Sequence, residues 1–209
     1  MNFLNKLEKK YRKYAIPNLM YYIVMLYGAG LVIQLFAPMA YWRFLSLDIG
    51  ALMHGQIWRL VTFIIYPPTM GTFVFDSVFF GIISLFLYYS LGVTLERVWG
   101  AFRFNVFFLM GMVGEILAAL VSYFVFHQNL YVTTGFLNFS LFLAFAICFP
   151  DVQFYLFMVI PVKAKWMAIA ESAVYVYSFL VGSASTRCEI VLSLANVILF
   201  FLMTRHYSR

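Results

Sequence analysis

Histidine is almost missing from this chain. Only His54, His127 and His206 occur in 209 residues, and none lies in a long apolar stretch. No lysine lies inside one either. A serine-type hydrolase needs a base beside its nucleophile, so the apolar segments hold no such base. Charge is scarce as well, at 11% of residues against about 25% in soluble domains. The two cysteines, Cys148 and Cys188, fall at the ends of different apolar runs, near opposite faces of the topology derived below. They are too far apart for a disulfide, since about 30 Å of hydrocarbon separates the faces and a disulfide needs Cα atoms within about 7 Å. Neither a metal nor a cofactor is expected.

What is abundant is apolar surface. The chain is 65% hydrophobic, with 25 Phe and 15 Tyr, and its mean hydropathy is +0.91. The solvent that accommodates this composition is lipid, which only helices and closed barrels span. The apolar runs are continuous rather than alternating, which selects helices. The sequence predicts an all-α integral membrane protein with spans at 17–38, 73–95, 104–126, 132–149, 166–183 and 189–204. The first run has no small-x-small cleavage site, so it reads as a span and not a signal peptide.

The charges orient the bundle. With both termini inside, eleven basic residues are cytoplasmic: Lys6, Lys9, Lys10, Arg12, Lys13, Arg97, Arg103, Lys163, Lys165, Arg205 and Arg209. Arg43, Arg59 and Arg187 face outward. That asymmetry follows the positive-inside rule. The net charge of +6 then reads as topology and attraction to membrane lipids, with no nucleic acid as partner. Residues 1–16 form a basic amphipathic segment, with Phe3, Leu4, Leu7, Tyr11 and Tyr14 at helical spacing. The membrane domain occupies 17–204 and a cytoplasmic tail 205–209. Segment 39–72 is too apolar for an open loop, and the pair Pro67-Pro68 breaks any helix in it. It reads as a partly embedded loop anchored by Trp42 and Trp58.

A few polar residues ride inside the spans. Glu115 and Asn138 each lie about 16 Å from the cytoplasmic ends of their helices, a depth at which the two can hydrogen-bond. Asn196 is comparably deep. Glu171 lies nearer the cytoplasmic face, and Asp76 opens span two as a cap. Intramembrane acids are functional candidates, with interhelical hydrogen bonding as the structural alternative. Ser140, Ala144 and Cys148 form a small-residue stripe, as do Gly114 and Ala118, and such stripes let helices approach closely.

Three segments together resemble the rhomboid superfamily. Gly55-Gln56-Ile57-Trp58-Arg59-Leu60-Val61-Thr62 is similar to the tryptophan-arginine loop of rhomboids and derlins. Leu95-Glu96-Arg97-Val98-Trp99-Gly100 resembles their Glu-x-x-x-Gly signature. Phe149-Pro150-Asp151 and Ile160-Pro161-Val162-Lys163-Ala164-Lys165-Trp166 resemble the loop between spans four and five of bacterial rhomboids. The resemblance covers about residues 15–204 by the order of these motifs. It implies a six-helix rhomboid-like bundle with cytoplasmic termini, in a bacterial cytoplasmic membrane.

The family's catalytic residues do not carry over. An ungapped count places Thr133-Thr134-Gly135-Phe136 at the Gly-x-Ser-Gly motif, with Gly135 in the serine's place. A shift of two or three residues offers Asn138, and a longer one Ser140. The histidine position falls near Ser193 in Leu192-Ser193-Leu194-Ala195-Asn196. Residues 73–84 lack the His-x-x-x-Asn pair that stabilises the oxyanion. The resemblance therefore implies a pseudoprotease that binds transmembrane segments of client proteins without cutting them. Thr133, Thr134, Asn138, Glu115 and Asn196 are the candidate contacts. The competing readings are a rhomboid-type serine endopeptidase with a non-standard Ser140–Glu115 pair, and a small proton- or ion-coupled protein using Glu115 and Glu171.

Overall fold

The structure, a computed structural model, describes residues 3–67, 74–129, 132–156 and 160–204, without the side chains of Phe3, 74–78, Leu156, Ile160, Ser193 and Thr204. The expected cap at Asp76, the Pro68 half of the proline pair and the tail holding His206 lie outside this description. The chain forms helices α1 (Phe3–Tyr11), α2 (Leu19–Phe36), α3 (Val74–Trp99), α4 (Ala101–Phe126), α5 (Gly135–Cys148), α6 (Ala164–Val181) and α7 (Ala184–Thr204), with short helical turns between α2 and α3. Four helices are long and apolar enough to cross a membrane: Leu19–Phe36, Phe79–Trp99, Ala101–Phe126 and Ala184–Met203. The chain is thus mostly helical, with four candidate membrane-spanning helices. Helix α5 is apolar but has only 14 residues. Helix α6 has 18 residues, and Lys165 and Glu171 lower its hydropathy.

Within the segment 1–16, helix α1 covers Phe3–Tyr11, and Tyr14 lies on a following 3₁₀ turn. Leu4 is buried against the bundle. The Arg103 Nε donates to Glu8 Oε2 at 3.0 Å and its Nη2 to Asn5 Oδ1 at 3.2 Å, so α1 is clamped to the start of α4. Beside this clamp Trp99 packs on Phe200, with ring centroids 4.5 Å apart, and on Phe107 at 5.4 Å. This end of the bundle is therefore closed by aromatic rings.

The Glu96–Gly100 spacing has a structural reason. Glu96 Oε1 accepts the backbone N–H of Asn18 at 2.6 Å, and Asn18 is the residue that starts α2. The carboxylate at the end of α3 thus satisfies a donor at the start of α2, where the helix dipole also favours negative charge. One turn later Gly100 has φ +83° and ψ 153°, a region essentially reserved to glycine, where a residue with Cβ is strained by about 1–3 kcal/mol. It turns the chain from α3 into α4. Replacing Glu96 with alanine is expected to cost about 1 kcal/mol, the usual worth of a lost cap, in reversible unfolding in detergent. Glu96→Gln keeps the acceptor and is expected to retain most of that stability.

At the opposite end, residues 37–67 fold into short turns packed on the helices. Gly30 of α2 makes this possible, because a Cβ there would run into the Ile65 carbonyl. Arg59 is 97% buried, at 3% exposure, and fastens the segment to itself. Its Nη1 donates to the Ser46 carbonyl at 2.7 Å, its Nε to Gln56 Oε1 at 2.7 Å, and its Nη2 to the Arg43 carbonyl. Trp58 Nε1 donates to the Phe44 carbonyl at 3.1 Å, and Thr62 Oγ1 to the Leu45 carbonyl at 2.9 Å. The tryptophan and arginine therefore satisfy loop carbonyls, the requirement for irregular backbone near hydrocarbon. A bridge between Leu47 and Val132 joins this loop to the segment before α5.

Between α5 and α6 the chain makes an antiparallel hairpin, β1 (Gln153–Leu156) with β2 (Ile160–Lys163), Phe154 opposite Val162 and Tyr155 opposite Pro161. The sequence reading leaves this segment as a loop. Lys163 and Lys165 both donate to Asp151 Oδ1, at 3.1 and 3.2 Å. They hold its carboxyl below the usual carboxylate range, so these bridges form at neutral pH and are lost as pH falls through that pKa. Trp166 is exposed at the start of α6.

Candidate functional site

Gly135, the residue that the ungapped count of the sequence sets in the serine's place, is the first residue of α5. Gly135 is exposed there, and a Cβ on it would meet only Thr133 Oγ1, at 3.4 Å. Just inside lies a closed polar chain. Thr134 Oγ1 donates to the Tyr66 carbonyl at 2.8 Å. Asn138 Nδ2 donates to Thr134 Oγ1 at 3.1 Å, and Tyr27 Oη donates to Asn138 Oδ1 at 2.9 Å. Tyr27, Thr134 and Asn138 are all buried. The chain links α2, the loop of residues 37–67 and α5, so its polar groups serve packing.

Aromatic rings seal the other side. Phe139 stacks on Tyr175 of α6 with centroids 4.0 Å apart, and Phe136 lies 5.2 Å from the same ring. Ser140 is buried, and its Oγ donates back to the Leu137 carbonyl at 2.8 Å. Such a back-bonded hydroxyl commits its proton to a carbonyl of its own helix. His54 Nδ1 lies 2.7 Å from the Gly50 carbonyl in its own turn, and His127 ends α4 in a left-handed conformation. The side chain of Ser193, which the sequence reading sets near the histidine position, lies outside the described residues. No cluster of three metal-ligating side chains occurs among the described residues.

The expected hydrogen bond between Glu115 and Asn138 does not form, because Asn138 is committed to Tyr27 and Thr134. Equal depth on two helices fixes height but not azimuth. Each residue turns the helix by about 100°, and Asn138 points toward α2. Glu115 is instead buried on α4 with Oε2 unpartnered, and Asn196 is buried on α7 with both Oδ1 and Nδ2 unpartnered. The five candidate contacts thus divide. Thr134 and Asn138 use their polar groups internally, Thr133 is half-buried beside Gly135, and Glu115 and Asn196 keep free hydrogen-bonding capacity.

Two features escape the sequence reading. Tyr27 reads as one more aromatic in span one, yet it is the acceptor-seeking end of the buried chain. Its one signal is a hydroxyl in mid-span, which needs a partner when buried. Glu189 is the second. It is buried on α7, one turn beyond Ser185. Ser185 Oγ donates to Gln128 Oε1 at 2.7 Å and accepts from Ser122 Oγ at 2.7 Å, which ties α7 to the end of α4.

Comparison with protein-family models, with curated proteins and with solved structures finds no match.

Proposed function

We propose that this chain is a rhomboid-like pseudoprotease that holds transmembrane segments of client proteins without cleaving them. In this reading α5 and α6 complete a six-span bundle, with both termini on the cytoplasmic side of a bacterial membrane. The observation that carries it is the contrast between two places. The position resembling the serine holds Gly135 above a hydrogen-bonded chain that is complete in itself. At mid-depth, Glu115 and Asn196 keep polar atoms with no internal partner. A polar atom left bare in hydrocarbon is costly, and an incoming helix can supply its partner. The short α5 adds to this. Its 14 residues span about 21 Å, less than the ~30 Å hydrocarbon core, so the bilayer beside it thins.

The test uses the full chain in phosphatidylcholine–phosphatidylglycerol vesicles with a fluorescent model transmembrane peptide. The expected result is saturable energy transfer between protein and peptide, with the peptide intact by mass spectrometry and no labelling of the protein by a fluorophosphonate. Cleavage that disappears in Ser140→Ala would establish a protease instead. A pH-driven proton flux abolished by Glu115→Gln would establish a transporter.

A further inference from the structure

Helices α4 and α7 pack along each other and leave a shallow groove between them, with a volume of about 430 Å³. Its walls include Val113, Gly114 and Leu117 of α4 and Ala195, Asn196 and Leu199 of α7. Val113, Leu117 and Leu199 are exposed, so the groove opens sideways into the space lipid would fill. Asn196 is its polar element, 96% buried at 4% exposure, and neither end of its amide has a partner among the described residues. Gly111 leaves room for that amide, since a Cβ there would lie 3.0 Å from Asn196 Nδ2. Gly114 and Ala195 keep the groove floor low on both sides, the small-residue arrangement that admits a helix backbone closely.

The depth restricts what can sit there. Asn196 lies eight residues before the end of α7, about 12 Å along the axis, and twelve residues after its start, about 18 Å. Lipid headgroups do not reach that level. An acyl chain fits the apolar walls but offers the amide neither a donor nor an acceptor. A second copy docked about a two-fold axis would set groove against groove, leaving two hollows face to face. One helix carrying an amide or hydroxyl fills the hollow and pairs with Asn196, which can donate and accept at once.

We propose that the α4–α7 groove is the docking site for a single transmembrane helix bearing an amide or hydroxyl side chain near its midpoint, with Asn196 as its hydrogen-bond partner. This rests on the client-binding reading above and names the surface that performs it. Seating the helix requires the Asn196 amide to turn about its Cβ–Cγ bond into the groove, a soft torsion for this side chain.

Two polyleucine transmembrane peptides, identical except for one central asparagine, are compared at high dilution in phosphatidylcholine–phosphatidylglycerol vesicles holding the full chain. Energy transfer is read from a fluorophore placed beside the groove. The asparagine peptide is expected to bind about five-fold or more tightly than the all-leucine one, the ratio given by one or two interhelical hydrogen bonds. In Asn196→Leu the two peptides are expected to bind equally, and Gly114→Leu, which fills the groove, is expected to weaken both. Thermal unfolding of each variant in detergent checks that the fold is intact, and Asn196→Gln, which keeps an amide, is expected to restore part of the preference. Equal binding of both peptides to the unchanged protein overturns the groove assignment and leaves client binding standing. A preference that survives Asn196→Leu does the same, since the peptide then sits elsewhere. Asn196-dependent energy transfer between copies of the protein, with no peptide preference, makes a second copy the occupant and also overturns it. Binding of neither peptide overturns the groove and the client-binding reading together.

Discussion

Replacing Arg59 with alanine is expected to cost about 3 kcal/mol, because the buried guanidinium is the donor for the buried Ser46 carbonyl, the part-buried Arg43 carbonyl and a part-buried side-chain amide at once. The Ser46 and Arg43 carbonyls and Gln56 Oε1 all lose their partner together. Each buried acceptor left without a donor carries a penalty of about 1–3 kcal/mol. Water reaches some of them once the side chain is gone, which keeps the total below the plain sum. Arg59→Lys is expected to recover a minority of the loss, since one ammonium cannot copy a planar fork that reaches three acceptors. The damage is expected to be local first. Hydrogen exchange should rise across residues 43–62 while α4 and α7 stay protected, because no described side chain of those helices bonds to Arg59. Uniform exchange across the bundle, or a loss under about 1 kcal/mol, would mean that the arginine is solvated and the loop is held by other contacts.

Arg59 also illustrates what the chain discloses by itself. The sequence places Trp58 and Arg59 in an embedded loop, but their acceptors are backbone carbonyls of Arg43, Phe44 and Ser46. Every residue carries such a carbonyl, so no residue type signals the partner. Glu96 is the same case, since it caps α2 through the N–H of Asn18. Helix existence was legible because apolar runs are long and unbroken. Helix ends were less so. Hydropathy stops at the first charge, whereas backbone hydrogen bonding continues, and α3 therefore runs through Glu96 and Arg97 to Trp99. In the same way α7 starts at Ala184, ahead of Arg187 and Glu189. The β1–β2 hairpin was missed because Pro161 argues against a strand. It is tolerated at an edge, opposite Tyr155.

The candidate site was partly legible for a related reason. Composition identifies which polar groups enter the membrane, and depth follows from counting residues along each helix. Neither gives the rotation of one helix against the next. Asn138 and Asn196 read alike in sequence, as single amides in apolar spans. Packing separates them. Asn138 faces Tyr27 and is satisfied on both sides, while Asn196 lies in the wall of the groove with neither end of its amide partnered among the described residues.

That separation makes Asn138→Leu the sharpest single substitution. It strips the acceptor from Tyr27 Oη and the donor from Thr134 Oγ1, both in buried surroundings, and is expected to cost about 2–3 kcal/mol. Tyr27→Phe removes one bond and leaves Asn138 half satisfied, for a loss of about 1 kcal/mol. The double substitution is expected to fall short of the sum by about 1 kcal/mol, since the partners touch and their losses overlap. Reversible unfolding in detergent measures all three. The binding assay adds a second axis. If Asn138 only holds α2 to α5, its leucine variant binds the asparagine-bearing peptide normally per folded molecule while melting earlier. Asn196→Leu does the reverse, with stability nearly unchanged or raised because a bare buried amide is gone, and the peptide preference lost. Both variants losing binding in proportion to stability would show that the two amides act as one packing unit, and that a buried polar residue in this bundle has no role apart from holding the helices together.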